Sequence, residues 1–193
     1  MSIKSHEAEI ETWATVFGLS NRTVELAKQL LQKVIGKKVY SMSRAQLALY
    51  VASIITGEYI PLAYFSAQPK LVRYDLRKFF GIELSPEKLV EIETRGLCRV
   101  LKLDRVLCEA SVCTAVNTFN ELKILKNRRY TALALVAIRL VARHMHRWVS
   151  LPRHMFSPLL YGAGKIARKY VEACIDKAKT VATQLQQQSP PQT

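Results

Sequence analysis

Hydrophobic positions along this chain fall at helical spacings, and β-branched alternation is scarce. Between Ser20 and Lys38, the residues Val24, Ala27, Leu30, Leu31, Val34 and Ile35 recur at intervals that trace one stripe of a helix. Ser20 suits the N-cap of that helix, and Gly36 lies near its end. From Ser43 to Thr56 the pattern changes. Ala45, Leu47, Ala48, Leu49, Tyr50, Val51, Ala52, Ile54 and Ile55 cover every face. A helix apolar all round has no solvent side, so other helices must enclose it. Pro61 and Pro69 then each open a further short segment, as proline does in a first helical turn.

The second half replays this order. Asp104 caps a predicted helix reaching Leu122, with Val106, Leu107, Ala110, Cys113, Thr114 and Val116 to Phe119 on its core side. Asn127 caps another helix, Tyr130 to Met145, which is apolar on nearly every face from Ala132 to Ala142. Pro152 and Pro158 punctuate the stretch after it, an amphipathic helix is expected over Gly164 to Gln187, and the Ser189-Pro-Pro tail is expected to fray. The halves align without a gap at a shift of 84 residues. Leu19, Glu25, Arg44, Ala48, Leu49 and Ile54 then meet Leu103, Glu109, Arg128, Ala132, Leu133 and Ile138. The predicted fold class is all-α, with two tandem five-helix repeats over residues 1–84 and 85–193 and a boundary near Ser85–Pro86. Each repeat buries its third helix, with Ala48, Ala52, Ala132 and Val136 deepest, which is the architecture of a cyclin-like unit. A single bundle of eight to ten helices is the structural alternative.

Charge narrows the function. Lys and Arg number 29 against 15 Asp and Glu, a net +14. Residues 1–84 hold 11 basic and 7 acidic side chains, and residues 85–193 hold 18 and 8, so the second half carries most of the excess. Such a surplus on a folded protein favours a polyanionic partner; a basic protein with no specific partner is the plain alternative. Cys98, Cys108, Cys113 and Cys174 form no Cys-x-x-Cys pair and read as buried thiols of a reducing compartment. The first fifteen residues carry Glu7, Glu9 and Glu11 and no apolar core, so no signal peptide is expected. The longest apolar run, Ala132 to Ile138, is far short of the roughly 18 residues of a membrane span. His144, His146 and His154 have no Asp, Glu or Cys at ligand spacing, which argues against a metal site. No nucleophile–base pattern, glycine-rich phosphate loop or paired carboxylates stand out. The expectation is a non-enzymatic chain with no cofactor, no small-molecule substrate and no membrane.

Several steps resemble one family. Phe17-Gly-Leu-Ser ahead of the Val24–Val34 helix, then Ser43-Arg44-Ala45 opening a buried Ala/Tyr-rich helix, resembles the first repeat of transcription factor IIB. Leu101-Lys-Leu-Asp, Asn127-Arg128-Arg129 and the Thr131–Ala142 helix resemble the second. The resemblance covers nearly the whole chain as order and spacing, without a single specific motif. Ser43 and Asn127 replace the glycines of the family's Gly-Arg steps, Pro61-Leu62-Ala63 stands where Pro-Arg-Thr is usual, and the cysteines supply no zinc ribbon.

The Arg step has a physical use. A small residue then Arg at a helix N-terminus sets a guanidinium beside free backbone N–H groups, which together suit a phosphate oxygen. The resemblance implies that role for Arg44, Arg128 and Arg129; solvated surface arginines are the alternative. It also implies a helix-turn-helix from Pro152 to Ala173, with Gly162 and Gly164 making the turn and Lys165, Arg168 and Lys169 at the start of the last helix. The alternative there is a charged exposed face. Arg139, Arg143 and Arg147 recur every four residues as one basic ridge, facing either a partner or solvent. The function implied is a nuclear transcription-initiation factor that binds the TATA-binding protein on double-stranded promoter DNA and bridges to RNA polymerase II. The smallest subunit of the origin recognition complex, also built of cyclin-like repeats, and a cyclin-like kinase regulator are the competing readings.

Overall fold

A computed structural model describes residues 3–122, 130–151 and 160–188. It is all-helical, with no strand among those residues. The order is α1 (Ile3–Phe17), α2 (Asn21–Leu31), α3 (Arg44–Thr56), a 3₁₀ turn η1 (Leu62–Phe65), α4 (Pro69–Phe80), α5 (Pro86–Val100), α6 (Arg105–Leu122), α7 (Tyr130–His144) and α8 (Leu160–Gln188).

Local chemistry sets most of these limits. The Ser20 hydroxyl accepts from the Thr23 N–H and starts α2. That helix stops at Leu31 rather than at Lys38, which corrects the expectation. The chain passes into consecutive turns, Lys33 N–H to Leu30 O, Val34 N–H to Leu31 O and Lys37 N–H to Val34 O, and Gly36 takes φ +71°. Val34 is still fully buried, so the apolar stripe continues on a backbone that is no longer helical. Ser43 and Gln46 close a reciprocal capping box on α3, and left-handed Gly57 ends it. Ser85 caps α5 through the Lys88 N–H, and Asp104 caps α6 through the Leu107 N–H at 3.0 Å. α8 begins at Leu160 and contains both Gly162 and Gly164, so the expected glycine turn of a helix-turn-helix is not there. Asn127, Pro152, His154, Pro158 and the Ser189–Thr193 tail lie outside the described residues.

α3 and α7 are enclosed, as their all-round apolarity requires. Ala48 and Ala52 are 0% exposed, Ala132 6% and Val136 9%. One apolar core joins α1–α4 to Leu89, Val90 and Ile92 of α5, Ala115 of α6, Tyr130, Ala132, Leu133, Val136 and Ala137 of α7, and Ala163 and Ala167 of α8. A second core lies on the other face of α7, where Ala134, Leu135, Ile138 and Val141 meet Leu97, Leu107, Val171 and Ile175. Polar ties fix the segments between helices. The Asp75 carboxylate of α4, buried, accepts from the Tyr40 N–H at 2.9 Å and the Ser41 N–H at 2.8 Å. Gly96 of α5 lets the chain at Ile60–Pro61 lie against it, since a Cβ there would stand 2.8 Å from the Pro61 nitrogen.

The four cysteines are not all thiols. Cys113 of α6 and Cys174 of α8 form a disulfide across 61 residues, with Cα atoms 5.7 Å apart. This corrects the expectation of four buried thiols: the packing of α6 against α8 brings together two positions whose spacing in sequence signals nothing. Cys98 and Cys108 remain free.

Candidate nucleic-acid interface

The basic residues divide by what already neutralises them. Lys28 lies between Glu11 and Glu25, Lys88 pairs with Glu91, Arg95 with Glu91 and Glu109, and Arg147 with Asp104. Lys169 meets Glu121 at 2.6 Å, which also accepts from the Tyr170 hydroxyl. A cation held by a carboxylate must break that pair before it meets a phosphate. Lys165 and Arg168, by contrast, are exposed on α8 opposite the buried face of Ala163, Ala167, Val171 and Cys174. They stand one to two turns inside the helix rather than at its first turn, because α8 starts at Leu160.

Arg44 heads α3, as the sequence predicts, but the free N–H groups that make such a step a phosphate seat are partly taken. The Ser43 hydroxyl accepts from the Gln46 N–H and itself donates to Glu9 Oε1 at 2.6 Å. A carboxylate thus already sits at this helix start. The Arg44 guanidinium turns aside, its Nε donating to the Lys37 carbonyl at 2.9 Å. Arg128 and Arg129 lie outside the described residues. Arg139 and Arg143 are exposed on α7, but Arg147 falls beyond the end of that helix and pairs with Asp104, so the ridge of three is two.

The contact of Arg44 with Lys37 leads to residues that the sequence pattern did not single out. Lys37, Lys38 and Tyr40 belong to the segment between α2 and α3; Tyr74, Lys78 and Phe79 belong to α4. The Lys78 ammonium lies 5.3 Å from the Tyr40 ring centroid, 5.4 Å from Tyr74 and 5.1 Å from Phe79. Lys38 lies over Tyr40 and Lys37 over Phe79. The two tyrosine rings meet edge to face at 5.7 Å, and both are 44% exposed. The signals were Lys37-Lys38-x-Tyr40 and the i, i+4 pair Tyr74 and Lys78, each common alone. Their juxtaposition comes from Asp75, which pins the segment to α4.

A second place in the fold has the marks of a site. A cavity of about 170 Å³ is lined by Leu62, Ala63, Ala67, Pro69, Glu93, Tyr130 and Thr131. Burial pushes the Glu93 carboxyl above its ordinary range, against the hydrogen bonds that it receives from Thr131 and from the Leu62 and Ala63 N–H groups. A raised carboxyl in a cavity is a frequent mark of acid–base chemistry. Here the carboxyl is engaged by donors from η1 and α7, which suits a structural tie between segments. Among the described residues no group of three or more His, Cys, Asp or Glu side chains converges as metal ligands would, and no helix is long and apolar enough to cross a membrane. No family model, curated protein or solved structure matches the chain.

Proposed function

We propose that the chain is the core of a transcription factor IIB-type promoter factor, built of two tandem cyclin-like repeats and without catalysis of its own. Its first repeat docks on the DNA-bound TATA-binding protein, both repeats straddle the bent duplex through phosphates, and the assembly offers a surface to RNA polymerase II in the nucleus. The observation that carries the reading is the pair Lys165 and Arg168 on α8, exposed and without an ion pair among the described residues, in the half that holds most of the +14 charge. The recurrence of elements supports it as well: α2 and α6 begin 84 residues apart, and α3 and α7 are each enclosed on nearly every side.

Phosphate contacts position a protein on DNA without reading bases. Binding to duplex alone is then weak and salt-sensitive, and the bent duplex clamped by the TATA-binding protein supplies the matching geometry. The test is a salt series of binding to that preformed complex, read by fluorescence anisotropy. Replacing Lys165 and Arg168 by Ala lowers the slope of log K against log salt by about 1.8, since each lost phosphate contact removes roughly 0.9. A control of equal charge, Lys4→Ala with Lys102→Ala, leaves the slope near that of the parent. Equal losses from both pairs would show a diffuse field instead of a clamp.

A further inference from the structure

We infer that the cluster of Lys37, Lys38, Tyr40, Tyr74 and Lys78 is a binding site for single-stranded nucleic acid, in which lysines hold the phosphates and the two tyrosines receive unstacked bases. This inference does not rest on the promoter reading, because duplex DNA keeps its bases paired and stacked.

Three observations combine. The first is charge: three ammonium groups share one small patch, and what they face is aromatic ring rather than carboxylate. A cation over an exposed ring gains little, so the arrangement leaves the lysines open to a stronger anionic partner. The second is the rings. Tyr40 and Tyr74 are large, nearly half exposed and set edge to face, so a planar base can lie on a ring once the lysine over it has turned to a phosphate. Aromatic platforms within a basic surface are the common means of holding a single strand without regard to sequence. The third is rigidity. The segment carrying Lys37, Lys38 and Tyr40 is irregular, yet it is held by two backbone donations to buried Asp75 and by Arg44 on the Lys37 carbonyl. Such a fixed segment presents its side chains without the ordering cost that a loose loop would incur on binding.

The chemistry favours a nucleic-acid strand over other anions. An acidic peptide would use the lysines but has no need of two exposed rings. An anionic bilayer would use both, but the exposed aliphatic side chains that would enter its hydrocarbon, Ile3, Val16, Ile55, Val181 and Leu185, lie on α1, α3 and α8 and not in this cluster.

The experiment uses the full chain and a labelled thymidine strand of about 15 nucleotides, with duplex of equal length, anionic phospholipid vesicles and polyglutamate as comparisons. The single strand binds more tightly than the duplex. Tyr40→Ala and Tyr74→Ala each weaken it about tenfold, whereas Tyr40→Phe and Tyr74→Phe, which keep the ring, retain it. Replacing Lys37, Lys38 and Lys78 together by Gln lowers the salt slope by about 2, at roughly 0.7 per phosphate on a single strand. Replacing Lys165 and Arg168 leaves strand binding unchanged, which separates this site from the duplex clamp. Circular dichroism reports whether each variant keeps its helices. Alanine variants that fold and bind as the parent does, duplex bound as tightly as the strand, or binding of vesicles or polyglutamate alone would each overturn the inference.

Discussion

Glu93, Gly96 and the free cysteines show how much single residues decide here. Glu93 is 1% exposed, and burial raises its carboxyl above the ordinary value. A group whose folded pKa is raised binds its proton more tightly in the folded state. Stability contributed by the protonated form is therefore lost as pH climbs from the usual Glu value of about 4.3 through the raised one. Glu93→Gln keeps an acceptor for the Leu62 N–H and removes the titration. In denaturant unfolding, the parent's advantage over Glu93→Gln shrinks between mildly acidic and neutral pH; a gap that widens would contradict this. Gly96 faces backbone, so Gly96→Ala forces the Pro61 segment away and costs about 1–3 kcal/mol in the same measurement. Unchanged stability would show that the contact has slack. Between the free thiols, the Cys98–Cys108 hydrogen bond pushes Cys98 up and holds Cys108 below the ordinary thiol value, with Arg95 helping to lower Cys108. Cys108 is also the less buried. Iodoacetamide at mildly alkaline pH labels Cys108 before Cys98, as peptide mass mapping reads out; the reverse order would overturn that assignment.

Among elements, the legible ones were those whose sequence leaves no alternative. A helix apolar on every face can only be enclosed, so α3 and α7, with the burial of Ala48, Ala52, Ala132 and Val136, could be read directly. The end of α2 could not, because Val34 continues the apolar stripe although its backbone has passed into turns. The start of α8 differs from expectation for another reason. The resemblance implies a turn at Gly162 and Gly164, and glycine does cost a helix about 1 kcal/mol relative to Ala. Ala163, between them, is buried in the first core, and that packing holds the turn of helix in place. Nor could spacing reveal that Tyr40 meets Tyr74 or Cys113 meets Cys174, since both meetings depend on how helices pack. The disulfide carries its own prediction. Closing a 61-residue loop is worth about 4 kcal/mol in the chain-entropy account, so reduction lowers Tm by on the order of 10 °C. Cys113→Ser with Cys174→Ser matches the reduced protein. A reductant that leaves Tm unchanged would show that the bond adds nothing to the folded state. In a reducing compartment the chain would rest on the apolar contacts of α6 and α8 instead.

At the scale of the molecule, part of the +14 charge is already held by carboxylates. They pair with Lys28, Lys88, Arg95, Arg147 and Lys169, while Lys165 and Arg168 on α8 and the lysines around Tyr40 and Tyr74, like other exposed cations such as Lys33, Lys70 and Lys102, have no carboxylate partner among the described residues. The all-α class was legible because helical spacing runs the length of the chain. For function the sequence offers only a resemblance, and the residues it singles out prove unequal: Lys165 and Arg168 are exposed, Lys169 is paired and Arg44 is turned toward Lys37. The central claim is that this surface joins a promoter complex. It is tested most directly by native electrophoresis of TATA-binding protein on a promoter duplex, with and without the chain. The predicted result is a further, slower band at concentrations well below the roughly micromolar range in which a basic protein coats any DNA. That band is also predicted not to form on the duplex without TATA-binding protein. An unshifted complex, or an equal shift of naked duplex, would contradict the claim.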